Sequence, residues 1–141
     1  MLTEQRIDSI LEEAHAIRVN NLKQSIALAG EALTLSKQCG DNTLLAKSHS
    51  RLSFYYMING EYDQSLEQAG EAGRLFESLK DERGLADTKY TIASVYYKRD
   101  NLHAGLQYIT ECLGIYRKFN DYANEARCYK VLGTIYEYFG D

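Results

Sequence analysis

The sequence of 141 residues contains no proline and no tryptophan. Without proline, no position lacks a backbone donor or forces a helix to break, so long helices are permitted along the chain. A basic excess is also missing, because the net charge is −4, whereas a protein that binds nucleic acid broadly needs a basic face against the phosphates. These absences favour helical structure and exclude a nucleic-acid partner.

Signals for a membrane or an oxidising compartment are missing as well. No apolar run approaches the length of a membrane span, and the amino terminus lacks the basic start and apolar stretch of a signal peptide. Cys39, Cys112 and Cys128 are odd in number and widely spaced, a pattern typical of reduced thiols. The sequence therefore predicts a cytoplasmic protein with no membrane partner.

No group of residues has the spacing that catalysis or metal binding requires. His15, His49 and His103 fall at different phases of the chain and none lies beside a cysteine, so they do not form a metal site. The adjacent acids Glu12 and Glu13 would point in different directions from a helix. We expect no catalytic residue, no metal and no cofactor, and therefore no enzyme.

The sequence does contain an internal repeat with a period of 40 residues. The segments that begin at residues 46, 86 and 126 align without a gap, and an aspartate closes each preceding unit at the same phase, at Asp41, Asp81 and Asp121. A tyrosine recurs in each unit at Tyr56, Tyr96 and Tyr136. We divide the chain into repeats at about 6–45, 46–85 and 86–125 and a half repeat at 126–141, within one domain spanning 1–141.

Each unit has the apolar spacing of two amphipathic helices. The predicted helices are 4–18, 21–38, 42–58, 62–79, 83–98, 102–118 and 122–139. The fold class that follows is all-α, a right-handed superhelical solenoid of seven helices in antiparallel pairs, because stacked pairs bury the faces that a single pair leaves open. We expect the recurring aspartates to cap helices and the recurring tyrosines to be buried.

Two segments carry a family pattern: they read Leu132-Gly133-x-x-Tyr136-x-x-x-Gly140-Asp141 and Gly60-Glu61-Tyr62-Asp63-x-Ser65-Leu66. This pattern closely resembles the tetratricopeptide repeat, in a 40-residue variant similar to that in amino-terminal regions of bacterial signalling proteins. The resemblance is weaker in the first helix, where Glu12 and Glu13 replace the usual Leu-Gly pair. It implies a module that holds a peptide or helix in the concave groove formed by the first helix of each pair.

One binding mode of the family is not expected here. Its chaperone-binding members hold a carboxyl terminus with lysine and asparagine side chains on the first helices. The positions that should carry asparagine are Ala14, Phe54, Ser94 and Thr134. The sequence therefore argues against binding of chaperone tails.

The helical phase assigns a set of residues to the concave groove, where aromatic side chains and a methionine would be bordered by basic ones. The predicted partner-binding residues are Lys47, Ser50, Arg51, Phe54, Met57, Tyr90, Ser94, Tyr97, Lys98, Arg127 and Lys130. Such a surface suits a protein or peptide partner, in particular an acidic segment or an amphipathic helix. We therefore expect an interaction module in the regulatory part of a larger signalling protein.

Self-association is the alternative function. The last helix has apolar residues on more than one face, and its predicted end-on contacts are Leu132, Ile135, Tyr138 and Phe139. An uncovered end of this kind predicts a fragment of a longer protein, or a scaffold that dimerises through the end of the solenoid.

Overall fold

The computed structural model describes residues 2–140 and is all-helical over that range. Its seven helices are α1 (Leu2–Ala16), α2 (Leu22–Cys39), α3 (Asn42–Ile58), α4 (Tyr62–Leu79), α5 (Glu82–Lys98), α6 (Leu102–Lys118) and α7 (Tyr122–Tyr138). Each helix packs mainly against its neighbours in sequence. The predicted fold class, a solenoid of seven helices in pairs, is confirmed, with helix ends within two residues of the predicted ones.

Left-handed backbone residues separate the helices every twenty positions from residue 40 onward. They have positive φ angles and are Gly40, Gly60, Lys80, Asp100, Asn120 and Gly140. A single left-handed residue ends a helix and reverses the chain, and glycine adopts this conformation without a side-chain penalty. The period of the turns thus sets the period of the solenoid.

The predicted aspartate caps are confirmed. The side chains of Asp41, Asp81 and Asp121 accept hydrogen bonds from the backbone N–H groups of Leu44, Gly84 and Asn124, at 3.0, 2.9 and 3.4 Å. Each bond satisfies a donor that the first helical turn leaves free.

Small residues let the two helices of a pair approach closely. The hydroxyl of Ser25 donates to the carbonyl of Ala14 at 2.6 Å, and the hydroxyl of Ser65 donates to the carbonyl of Ser53 at 2.7 Å. At the equivalent place in the third pair, a side chain on Gly105 would meet the backbone of α5 at 3.4 Å. Large side chains here would push the helix axes apart.

The gapless 40-residue register fails in the first helix. Eleven positions separate Ala14 from Ser25, whereas twelve separate Ser53 from Ser65 in the same contact. The residue of α1 equivalent to Ser53 is therefore Ala14, an offset of 39, and His15 is equivalent to Phe54. This single-residue shift explains the weak match of the first helix.

The prediction that Tyr56, Tyr96 and Tyr136 are largely buried is wrong for Tyr136, and none of the three is the most buried residue at its place in the helix. Tyr56 and Tyr96 are half-buried, and Tyr136 is 43% exposed. The fully buried residues are those immediately before them, Tyr55, Val95 and Ile135. Adjacent residues can both lie within an apolar stripe about 100° wide, so the sequence pattern does not show which one faces the core.

Candidate functional site: a concave cavity on the inner helices

The first helices of the pairs form the inner wall of the solenoid. α1 contacts α3, α3 contacts α5 and α5 contacts α7, whereas α2, α4 and α6 do not contact one another anywhere in residues 2–140. Helices that are closer together on one side than on the other curve the stack toward that side. The face formed by α1, α3, α5 and α7 is therefore concave.

A cavity of about 490 Å³ opens on this concave face. It is lined by His15, Arg18, Ser50, Arg51, Phe54, Asp87, Tyr90, Thr91, Tyr116, Asn124 and Arg127. Its volume lies in the range of sites that hold small molecules or side chains of a partner. All four inner helices contribute to it.

Aromatic rings hold one arginine at the wall of this cavity. The guanidinium carbon of Arg127 lies 4.3 Å from the ring centre of Tyr90 and 5.5 Å from that of Phe54. Arg127 also donates to the side chain of Asn124 at 2.9 Å. Cation–π attraction and this hydrogen bond fix the charged group beside the opening while the Arg127 residue remains exposed.

A second cluster joins α1 to α3. Nδ1 of His15 lies 3.1 Å from the hydroxyl oxygen of Tyr55, and Arg18 donates to the carbonyl of His15 at 2.6 Å. Burial and the charges of Arg51, Arg18 and Arg127 lower the pKa of His15 to about 4. The imidazole is therefore neutral at pH 7, and the positive charge near it comes from the arginines.

One carboxylate, Asp87, lies among these cations. It accepts a hydrogen bond from the hydroxyl of Tyr116. Solvent reaches the Asp87 side chain from the open side of the cavity, but protein surrounds it elsewhere, and this desolvation raises the pKa of its carboxyl against the opposing effect of Tyr116 and two arginines. Asp87 thus balances part of the positive charge.

The structure brings five of the eleven predicted groove residues together. Ser50, Arg51, Phe54, Tyr90 and Arg127 all line the cavity. This grouping places three inner helices around one site, as the predicted phase requires.

Two predicted groove residues do not face the groove. Met57 is 5% exposed and Ser94 is 4% exposed, so both are core residues. The Ser94 hydroxyl donates back to the carbonyl of Tyr90 at 2.9 Å, which satisfies it within its own helix. The predicted assignment of Met57 and Ser94 to partner binding is wrong, because their side chains pack inward.

The remaining predicted groove residues lie outside the cavity. The ammonium of Lys47 is 3.6 Å from a carboxylate oxygen of Asp8. The ring of Tyr97 lies 6.4 Å from that of Tyr138, between ring centres. Lys98 and Lys130 are exposed on α5 and α7.

Several cavity residues were not predicted, and His15 and Arg18 illustrate why. His15 lies in the last turn of α1 and Arg18 in the turn that follows the helix, where the 40-residue register is shifted by one. With an offset of 39, His15 takes the position of Phe54, and a sequence alignment that allowed one gap would have found it. Tyr116 belongs to α6, an outer helix, so no argument from the inner helices points to it.

The exposed apolar face of α7 differs from the predicted one. Ile135 is fully buried, so this predicted end-on contact is wrong. Leu132 is half-buried, Tyr138 is 64% exposed and Phe139 is 36% exposed. The large residues most open on this helix also include Tyr122, Tyr129 and Tyr136. They are spaced by seven residues and form one stripe.

The three cysteine thiols differ in their exposure to solvent. The thiols of Cys112 and Cys128 are buried with their sulfur atoms 3.5 Å apart, and Cys39 is exposed. The hydrogen bond with Cys128 and burial raise the pKa of the Cys112 thiol. We expect a thiol reagent to modify Cys39 rapidly in the folded protein, and Cys112 and Cys128 only after denaturation.

Counting the modified thiols by mass spectrometry, with Cys39→Ser as the control, checks this expectation. The control should show no rapid phase. Rapid modification of all three thiols in folded wild type would contradict the packing of α6 against α7.

No metal site and no membrane-spanning helix are found in the described part of the chain. Residues 2–140 contain no group of three or more potential metal ligands. None of their helices is long and apolar enough to cross a bilayer.

The comparisons with known proteins establish the fold alone. No family model matches the sequence, and no curated protein is recognisably similar to it. Among solved structures, the chain is similar to BtubC (BKLC) from P. vanneervenii, with a TM-score of 0.81 and 18% sequence identity. The match covers 99% of this chain and 58% of that one, so the chain spans little more than half the length of its structural neighbour.

Proposed function

We propose that the chain is a protein-interaction module of the tetratricopeptide type, which binds a peptide segment or helix of a partner protein on its concave face. The main support for this proposal is the cavity, in which Phe54 and Tyr90 lie next to Arg51 and Arg127 on neighbouring inner helices. Aromatic and arginine side chains are those most often responsible for binding energy at protein interfaces.

The charge of the cavity favours an acidic partner. The chain as a whole carries a net charge of −4, yet three arginines and one aspartate converge here. Basic side chains around a concave site attract an acidic segment and accelerate its association, an effect that salt weakens. Binding, rather than catalysis, is the function that this arrangement supports.

We also infer that the module works in the cytoplasm, since its three cysteines are unpaired thiols. The similarity of its repeat pattern to that of bacterial signalling proteins supports a regulatory role within a larger protein.

Peptides selected from a random library on the immobilised protein test the proposal. We expect the selected peptides to be acidic and to bind at least about thirtyfold more weakly to Tyr90→Ala and Phe54→Ala, because a buried aromatic anchor contributes about 2 kcal/mol. Fluorescence anisotropy measures the affinities. Tyr122→Ala is the matched control, because Tyr122 is 72% exposed and lies outside the cavity.

If Tyr90→Ala and Phe54→Ala fold normally and bind the peptides as tightly as wild type, the concave cavity is not the binding site. Circular dichroism establishes whether each variant is folded.

Self-association is a second candidate, supported by the face of α7. Gly133 lies 40 residues after Ala93, whose backbone lies against Gly105 of α6, so the equivalent face of α7 is the one that α6 covers on α5. On α7 this face carries Tyr129 and Tyr136, which are 50% and 43% exposed. Analytical ultracentrifugation of wild type and Tyr129→Lys distinguishes the two functions, since only a dimer formed through this face would be lost in the variant.

A further inference from the structure

An unsatisfied donor lies in the wall of the concave cavity. Nη1 of Arg51 is buried and has no hydrogen-bond partner in the described chain. Buried polar atoms are nearly always paired, and an orphaned charged donor costs more than a neutral one. A guanidinium N–H that is buried in the wall of a cavity and lacks an acceptor points to an acceptor supplied from outside.

Whether an arginine of this protein forms an ion pair depends on its position. Within residues 2–140, Arg6, Arg74, Arg83 and Arg99 each form an ion pair with a carboxylate, at 2.7 to 3.3 Å. The arginines with no ion pair in that range are Arg18, Arg51, Arg117 and Arg127, and three of these four line the cavity. Arginines elsewhere on the surface are paired with carboxylates, so the absence of ion pairs at these three arginines is a local property of the cavity.

The one carboxylate in the cavity is already engaged. Asp87 accepts the hydroxyl of Tyr116 and forms no ion pair within 4.0 Å with any arginine of the described chain. It reduces the positive potential of the cavity but does not accept a hydrogen bond from Nη1 of Arg51. Burial is the largest cause of the lowered pKa of His15, and the charges of Arg51, Arg18 and Arg127 lower it further, so these three cations lie close enough to the same ring to act together.

We propose that the cavity is a carboxylate-binding site, in which the Arg51 guanidinium receives the side chain of a glutamate or aspartate from the bound segment. The proposal rests on the proposed function and names the chemistry of one anchoring contact. The two oxygens of a carboxylate match the planar arrangement of donors on an arginine side chain. The nearby charges of Arg18 and Arg127 would strengthen its binding. The carboxylate of Asp87 then limits the affinity, because it repels the carboxylate of the bound segment.

Two blocked amino acids test this site without a partner protein. N-acetyl-glutamate amide carries the carboxylate, and N-acetyl-glutamine amide is its neutral counterpart of the same shape. In NMR titrations of the wild-type protein, we expect the glutamate compound to shift the signals of the Arg51 side chain and the His15 ring saturably. The glutamine compound should leave them in place.

Three variants identify the residues responsible. Arg51→Gln should weaken binding of the glutamate compound about tenfold or more, because it removes a charged donor. Asp87→Asn should strengthen binding about threefold, since it removes a like charge and retains the acceptor for Tyr116. Arg117→Gln is the control: it makes the same charge change on α6, outside the cavity, and should leave binding unaltered.

In the titrations of the wild-type protein, two results would overturn the proposal. The first is the absence of a saturable shift with the glutamate compound. The second is equal binding of the glutamate and glutamine compounds. Asp87→Asn tests the site independently should Arg51→Gln fail to fold, and unchanged or weaker binding in that variant also counts against it. Peptides that bind through Phe54 and Tyr90 without a carboxylate would leave the proposed function standing while removing this inference.

Discussion

Replacing Tyr55 by alanine is expected to lower the free energy of unfolding by about 3–5 kcal/mol, the cost of deleting a buried aromatic ring. Tyr55 is fully buried and packs with Leu52, Ala14 and Ala29. Its ring therefore belongs to the core shared by α1, α2 and α3. Removing it leaves a cavity in the part of the protein that joins the first two helix pairs.

The adjacent tyrosine is a matched control. Tyr56 lies on the same helix and is half-buried, so Tyr56→Ala makes the same chemical change but removes fewer buried contacts. It should lower the free energy of unfolding by about 1 kcal/mol. Urea unfolding followed by circular dichroism measures both values. Equal losses, or a larger loss for Tyr56, would show that the phase of α3 is wrong.

Replacing Gly84 by alanine is expected to destabilise the protein by about 2 kcal/mol, the usual scale for forcing an extra methyl group into a packed core. Gly84 lies in the first turn of α5, where its N–H is bonded to the cap Asp81. A Cβ atom at this position would overlap the ring of Phe76. Phe76 is itself buried, so the ring has little room to move.

Gly114 is the control for Gly84. It lies within α6, and a Cβ atom built on it would meet nothing within 4 Å. Alanine stabilises an exposed helical position by about 0.5–1 kcal/mol relative to glycine. Thermal unfolding should therefore show a lower melting temperature for Gly84→Ala and an equal or higher one for Gly114→Ala. A stable Gly84→Ala protein would mean that α4 and α5 are not packed as closely as described.

The repeat made most of the fold predictable from the sequence. Turns with a left-handed residue and caps such as Asp81 recur at fixed spacing, and these local signals determine where helices begin and end. A gapless period cannot reveal a single-residue shift, however. That shift in α1 brings His15, rather than Ala14, into the row of Phe54, and it placed His15 outside the predicted site.

The candidate site was only partly predictable. Arg51, Phe54 and Tyr90 follow from helical phase alone, because they lie at the centre of the concave face. Met57 and Ser94 lie at its border, where a small rotation of the helix decides between groove and core. The unsatisfied Nη1 of Arg51 and the lack of an ion pair at this residue depend on the positions of carboxylates on other helices. The repeat pattern of the sequence does not give those positions.

The most direct test of the proposed binding mode is a measurement of which side chains touch a bound peptide. A selected peptide is mixed with isotope-labelled protein, and intermolecular nuclear Overhauser effects are recorded. We predict contacts from the peptide to the rings of Phe54 and Tyr90, on the concave face. Contacts confined to Tyr122, Tyr129 and Tyr136 would contradict it and would identify the open face of α7 as the binding surface.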